Sequence, residues 1–162
     1  MDILSTTTFI DDVGEVAPEP SEPLRVEDAA AHCERLLRDA GLRPTRQRLA
    51  LGQLLFLNRH RHVSAETLFE EAAAANMRLS LATVYNTLNQ FTEAGLLRRI
   101  SADGSKSFFD TDTSVHPHFY LEGEDVLVDI SQDLIFRQMP QALPGHEISR
   151  LDVIVHIRRK KP

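Results

Sequence analysis

The chain of 162 residues has a single cysteine, Cys33, so no disulfide can close within one molecule. That suits a reducing compartment, and a cytoplasmic protein is expected. No apolar run approaches the ~18 residues that a membrane-spanning helix needs, so no membrane partner is expected. The N-terminus carries acids (Asp2, Asp11, Asp12) where a secretory signal carries bases. Neither a Gly-x-Ser-x-Gly nucleophile turn nor a glycine-rich phosphate loop occurs, which removes two common marks of an enzyme. Positive charge is also short overall, with a net charge of −6. Its distribution is uneven. Residues 1–40 hold 3 basic and 10 acidic side chains, net −7; residues 41–109 hold 9 and 5, net +4; residues 110–162 hold 6 and 9, net −3. Only the middle third has the sign needed to approach a phosphate backbone.

That middle third contains the stretch around which the chain is organised, Ser80–Asp110. Ser80 is placed to cap a helix, since its hydroxyl can accept a free N–H of the first turn. Leu81, Val84, Leu88 and Phe91 recur at i, i+3, i+7 and i+10 and form one apolar stripe, and Gly95 stops the helix. The other face carries Thr83, Tyr85, Asn86, Asn89 and Gln90, with no acid before Glu93. A hairpin follows: Leu96–Ser101, a tight turn at Asp103-Gly104, then Lys106–Asp110. A polar-faced helix followed by a basic hairpin is the reading end of a winged helix-turn-helix. Asn and Gln can pair with adenine in the major groove, and Arg98, Arg99 and Lys106 would reach phosphates from the wing.

Upstream, residues 1–23 hold Pro18, Pro20 and Pro23 among many acids and read as an acidic disordered tail. Val26–Ala40 reads as a helix stopped by Gly41, with Cys33 on its apolar face as a small buried hydrophobe. Pro44 sits at the first turn of a second helix, and Arg43, Arg46 and Arg48 crowd that end as phosphate or minor-groove contacts would. Asn58–Val63 reads as a polar connector, and Ser64 caps a third helix. Residues 24–110 therefore form a winged-helix DNA-binding domain, and 111–115 a polar hinge. Residues 116–162 form a small α/β domain with strands His118–Leu121 and Val126–Ile130, helical turns at Gln132–Met139, and a long alternating strand Glu147–Ile157. The fold class is α+β. A unit of about 45 residues rarely stabilises itself, so this part is expected to build a homodimer.

His116-Pro117-His118 puts two imidazoles on one side of an extended segment. Asp110 ends the wing just upstream, Asp129 ends a partner strand, and His62 precedes the third helix. Three imidazoles and two carboxylates suit Fe²⁺, Mn²⁺ or Zn²⁺ better than Ca²⁺ or Mg²⁺, which prefer oxygen alone. His60, His146 and His156 read as solvated.

Residues 41–48 (GLRPTRQR), 62–68 (HVSAETL) and 80–88 (SLATVYNTL) resemble the ferric uptake regulator family. The likeness covers about residues 27–158. Leu81–Gln90 and Glu147–Val155 are most similar to its iron response regulator branch. The resemblance implies a dimeric winged-helix transcription regulator that binds double-stranded operator DNA, with an inter-unit metal site on His62, Asp110, His116, His118 and Asp129. It places Tyr85 at a base-contacting position. Asn86 stands where some members have Arg, which leaves the base preference open. Leu121 and Glu124 occupy the positions of the family's Cys-x-x-Cys, so a structural four-cysteine zinc is not expected. A second metal site falls on Val115, Pro117, Phe136 and Leu151, none of which is a good ligand. The branch implies a response to haem, for which His116 and His118 would be axial ligands. Cys33 is followed by Glu34, not by the proline of the branch's second haem motif.

The function expected is a haem-responsive regulator of iron and haem homeostasis that binds DNA when haem is scarce, through Arg43, Arg46, Arg48, Ser80, Thr83, Tyr85, Asn86, Arg98 and Lys106. The alternative keeps the DNA binding but makes Fe²⁺ or Mn²⁺ the ligand, with metal or peroxide as the signal. An open-site iron enzyme and a ligand-free winged helix are the remaining classes.

Overall fold

The computed structural model describes residues 26–57, 60–104, 106–131 and 140–160. The expected tail at 1–23 and the helical turns at 132–139 lie outside the described residues. Ten elements follow in chain order: α1 Val26–Asp39, α2 Arg46–Phe56, β1 His62–Val63, α3 Ala65–Ala74, α4 Leu81–Glu93, β2 Arg98–Ser101, β3 Ser107–Asp110, β4 His118–Leu121, β5 Val126–Asp129 and β6 Ile154–Ile157.

Local chemistry sets the helix ends. The side chains of Ser64 and Ser80 accept from the N–H groups of Thr67 and Thr83, each at 3.1 Å. α2 begins two residues later than the sequence suggests: Thr45 is its N-cap, accepting from Arg48 N at 3.3 Å, and Pro44 precedes the cap. α1 and α4 end on Gly41 (φ 75°) and Gly95 (φ 76°). At each end the next residue bonds five positions back, Leu42 N to Leu37 O and Leu96 N to Phe91 O, both at 2.8 Å. That closure needs a left-handed residue at the stop, which glycine adopts without strain.

β1, β3 and β2 form one antiparallel sheet in that order. In the second sheet β4 pairs antiparallel with β5 and parallel with β6. Alternation along β3 divides its side chains between two cores. Phe109 joins Leu37, Leu51, Leu55, Leu68, Leu88 and Phe91 in the helical core. Phe108 turns the other way and packs with Ile100, Tyr120, Leu127 and Ile154, so the wing sheet and the second sheet meet face to face. Cys33 is fully buried in the helical core, as its position on the apolar stripe suggests.

Three sequence expectations are corrected. The polar connector contains β1, because Val63 is drawn into the helical core and β3 offers it an edge. The final strand is Ile154–Ile157 and not Glu147–Ile157. Pairing begins at His118↔Ile154, where His118 N donates to Val153 O at 3.0 Å and β4 itself starts. The second wing strand begins at Ser107 and not at Lys106, because Lys106 N is drawn into the turn, donating to Asp103 Oδ1 at 3.0 Å.

Candidate metal centre and nucleic-acid face

Two ladders build the centre. The β1–β3 pairing sets His62 opposite Asp110, and the β4–β5 pairing sets His118 opposite Asp129. Residues opposite each other in a ladder project to the same face, and both pairs project into the seam between the sheets. His116 enters from the segment before β4. One donor atom from each of His62, Asp110, His116, His118 and Asp129 lies within 4.8 Å of all the others. All five positions expected from the sequence are therefore brought together.

Each imidazole Nε2 lies near both carboxylates. His62 is 3.0 Å from Asp129 Oδ1 and 3.3 Å from Asp110 Oδ2. His116 is 2.9 and 3.3 Å from the same two atoms, and His118 is 3.4 Å from each. Ligands about 2.1 Å from an ion and at right angles lie about 3 Å apart, so these separations fit a first-row divalent ion. The second observation of fit is His62 Nε2. It is buried, close to two carboxylates, and makes a well-aligned hydrogen bond with nothing.

The surroundings prepare the donors. Asp110 is fully buried, and its Oδ1 accepts from Asp112 N at 2.8 Å, which leaves Oδ2 for the centre. Burial alone would raise its pKa. The hydrogen bonds from His118 and the Asp112 N–H, with the His62 imidazole 3.3 Å away, outweigh that and hold the carboxyl far below its ordinary range, so it stays anionic. Burial likewise opposes protonation of His62, but Asp110 and Asp129 overcome it and raise the imidazole pKa. Protons and a cation therefore compete for the same nitrogen. His116 Nδ1 lies 3.1 Å from Ser114 O, an acceptor that keeps Nε2 free as the ligand atom. Of the histidines read as solvated, His60, His146 and His156 are all exposed.

The expected DNA-contacting residues divide into two groups. On α4, Tyr85 and Asn86 are exposed, and Tyr85 OH donates to Glu66 Oε1 at 2.7 Å. Ser80 and Thr83 are tied together at the helix start, with hydroxyls 2.8 Å apart. Arg43 and Arg46 are exposed, and neither guanidinium has a bonding partner among the described residues. Arg48 is committed inward: Nε and Nη2 donate to Gln90 Oε1 at 3.1 and 3.0 Å, and Nη1 to Arg43 O at 2.8 Å, bolting α2 to α4. Lys106 is ion-paired to Asp125 in the β4–β5 turn.

Arg98 is a correction. Its side chain is 7% exposed and bonds Ser114 O at 2.5 Å and the carboxylate of Asp152, so it is not available to phosphate. Strand alternation carried the signal: Arg98 shares a face with Ile100, a core residue, whereas Arg99 faces out. Arg78 was missed. With Arg46, Gln47 and Asn76 it lines an open cleft of about 610 Å³ beside the start of α4, and its guanidinium is unpartnered among the described residues.

Comparison with known proteins is consistent with this architecture. The sequence model of the "Ferric uptake regulator family" matches residues 39–157. The ferric uptake regulation protein of Vibrio cholerae is 38% identical over 114 residues, which cover 69% of this chain and 75% of that protein. The crystal structure of the V. cholerae ferric uptake regulator aligns with TM-score 0.64 and 26% identity over 78% of this chain and 98% of its own. The ferric uptake regulator from Pseudomonas aeruginosa, solved with manganese, aligns with TM-score 0.60 and 29% identity over 80% and 98%. Among the described residues no helix is long and apolar enough to cross a membrane.

Proposed function

The chain belongs to the ferric uptake regulator family, whose members are transcription regulators of metal homeostasis, and from that premise we propose a DNA-binding regulator controlled by a divalent ion at the five-residue centre. The observation that carries the reading is the convergence of three imidazoles and two carboxylates within 4.8 Å. Fe²⁺, Mn²⁺ and Zn²⁺ suit such a mixed nitrogen and oxygen set. His62, Asp110, His116, His118 and Asp129 hold the ion. The elements from α1 to β3 form the DNA-binding part, with residues 111–115 as the joint to the C-terminal part. Tyr85 and Asn86 on α4 read bases, Ser80 and Thr83 order the helix end that enters the groove, and Arg43, Arg46 and Arg78 meet phosphates.

The C-terminal sheet supports a homodimer. Val126, Val128, Val155 and Ile157 alternate with the inward residues and lie exposed on its outer face. Four apolar side chains on one face of a three-stranded sheet call for a cover, and a second copy supplies it.

The haem-responsive reading rests on the likeness of Leu81–Gln90 and Glu147–Val155 to the iron response regulator branch. The geometry favours a bare ion. The His116 and His118 rings lie 4.4 Å apart, and both present Nε2 to the same two carboxylates. A porphyrin on either nitrogen would have to displace Asp110 or Asp129. Titration of chelator-stripped protein with Mn²⁺, and separately with hemin, decides between them. Saturable Mn²⁺ binding that is lost in His62→Ala and changes affinity for a duplex selected from a random pool is expected. A saturable Soret band abolished in His116→Ala/His118→Ala, without Mn²⁺ binding, would favour haem instead.

A further inference from the structure

Arg98 lies opposite Asp110 in the β2–β3 ladder and projects toward the centre's side of the sheet, yet it bonds neither of the centre's carboxylates. Its Nη1 donates to Ser114 O at 2.5 Å, and its Nη2 to Asp152, just before β6. Ser114 O is also the acceptor 3.1 Å from His116 Nδ1. One carbonyl thus receives a buried guanidinium on one side and a metal-centre imidazole on the other. The same short segment is stapled to the centre a second way: Ser114 N donates to Asp112 Oδ1 at 2.9 Å, and Asp112 N donates to Asp110 Oδ1. Asp152 is held in turn by Arg150 Nε at 2.6 Å.

We propose that Arg98 and Asp152 form a latch that positions His116 for the metal ion by fixing the Ser114 carbonyl. The inference rests on the metal reading above. Neither residue touches the ion; both are positioning residues acting through His116. A carbonyl held by a charge-assisted bond cannot turn away from His116 Nδ1, so the imidazole keeps the tautomer and orientation that present Nε2 to the centre. The guanidinium is anchored at both ends, by the joint at Ser114 and by the strand leading into β6. The wing strand β2 and the C-terminal sheet therefore both take part in setting one ligand. Outer partners of metal-binding histidines typically contribute about 10- to 100-fold in affinity.

The test is a double-mutant cycle on the full chain, stripped with chelator and titrated with Co²⁺, whose visible absorption reports both occupancy and ligand geometry. Arg98→Ala is expected to weaken Co²⁺ binding about 10- to 100-fold and to shift the spectrum toward that of His116→Ala. Asp152→Asn is expected to do the same to a smaller extent. In the His116→Ala background Arg98→Ala should have no further effect, whereas in an Asp129→Asn background, which removes one exposed donor and leaves the rest of the set, it should keep its full effect. A merely structural role would weaken binding in both backgrounds, and that result, or unchanged affinity in Arg98→Ala, overturns the latch. If Arg98→Ala does not fold by circular dichroism, Asp152→Asn, which leaves the Arg98–Ser114 bond in place, carries the same cycle. Wild-type protein without a saturable single-site isotherm would sink the metal reading itself and the latch with it. A normal wild-type isotherm with an additive cycle sinks the latch alone.

Discussion

Gly52 allows α1 and α2 to approach as closely as they do, and replacing it with alanine gives a stability change whose sign can be worked out. A Cβ built at Gly52 would lie 2.5 Å from Cys33 Sγ, a contact that packed atoms do not tolerate. Two effects oppose each other. Alanine in a helix interior is favoured over glycine by about 1 kcal/mol. Overpacking a filled core costs about 1–3 kcal/mol. Cys33 is fully buried on the first helix, so its thiol has little space to rotate away. The overpacking term therefore wins, and with the helix gain subtracted Gly52→Ala should destabilise the protein by about 1 kcal/mol, within a span of about 0–2 kcal/mol. Cys33→Ala removes the clashing sulfur. In that background Gly52→Ala should become neutral or stabilising, giving a coupling of about 2 kcal/mol between the two sites. The chain has no tryptophan, so urea unfolding is best followed by far-ultraviolet circular dichroism. It should be done with chelator present and at one protein concentration, because metal and dimerisation both shift apparent stability. A Gly52→Ala protein at least as stable as wild type with Cys33 intact would refute the packing argument.

Three further outcomes are expected. Mn²⁺ at a free concentration 100 times its Kd should raise unfolding free energy by about 2.7 kcal/mol, and His62→Ala or Asp110→Asn should abolish that gain in the same unfolding assay. Arg78→Ala should weaken DNA binding evenly across sequences and lower the slope of log K against log salt by about one, with Mn²⁺ affinity unchanged; a loss confined to one sequence would contradict a phosphate contact. Val128→Asp places a charge on the outer face of the C-terminal sheet, where Val128 is 44% exposed in the single chain. It should shift the protein to monomer in light scattering, and a persistent dimer would move the interface elsewhere.

Much of the centre was legible in the sequence because it follows strand alternation. His116 and His118 flank Pro117, and Asp110 and Asp129 end the short apolar runs Phe108-Phe109 and Val126–Val128. His62 was a candidate only as a neighbour of a helix start. Its strand is two residues long, too short for any periodicity, and exists because β3 offers an edge. Arg98 was misread because a cation on a two-stranded wing suggests phosphate. The buried alternation with Ile100 argued otherwise, but its partner Asp152 is 54 residues away and no local pattern reveals it. The long final strand failed for a similar reason. Residues 147–153 alternate well enough, but a strand extends only as far as its neighbour can pair, and that neighbour begins at His118.

The division of ligands between ladders explains how an ion could act on the rest of the molecule. Within each ladder the distance between histidine and aspartate is fixed by backbone pairing, His62 to Asp110 in one sheet and His118 to Asp129 in the other. Between the ladders, among the described residues, it is set by the small core of Ile100, Phe108, Tyr120, Leu127 and Ile154, by ion pairs such as Arg98–Asp152 and Lys106–Asp125, and by the bonds of the joint at Asp112 and Ser114. The softest coordinate at the centre is therefore the stacking of one sheet on the other. An ion that needs all five donors binds the stacked arrangement more tightly than any arrangement in which the sheets slide. Its differential affinity sets the limit on how far it shifts that equilibrium. Because β3 carries Asp110 and also Phe109 of the helical core, any change in stacking is passed to the helices that present Tyr85 and Asn86.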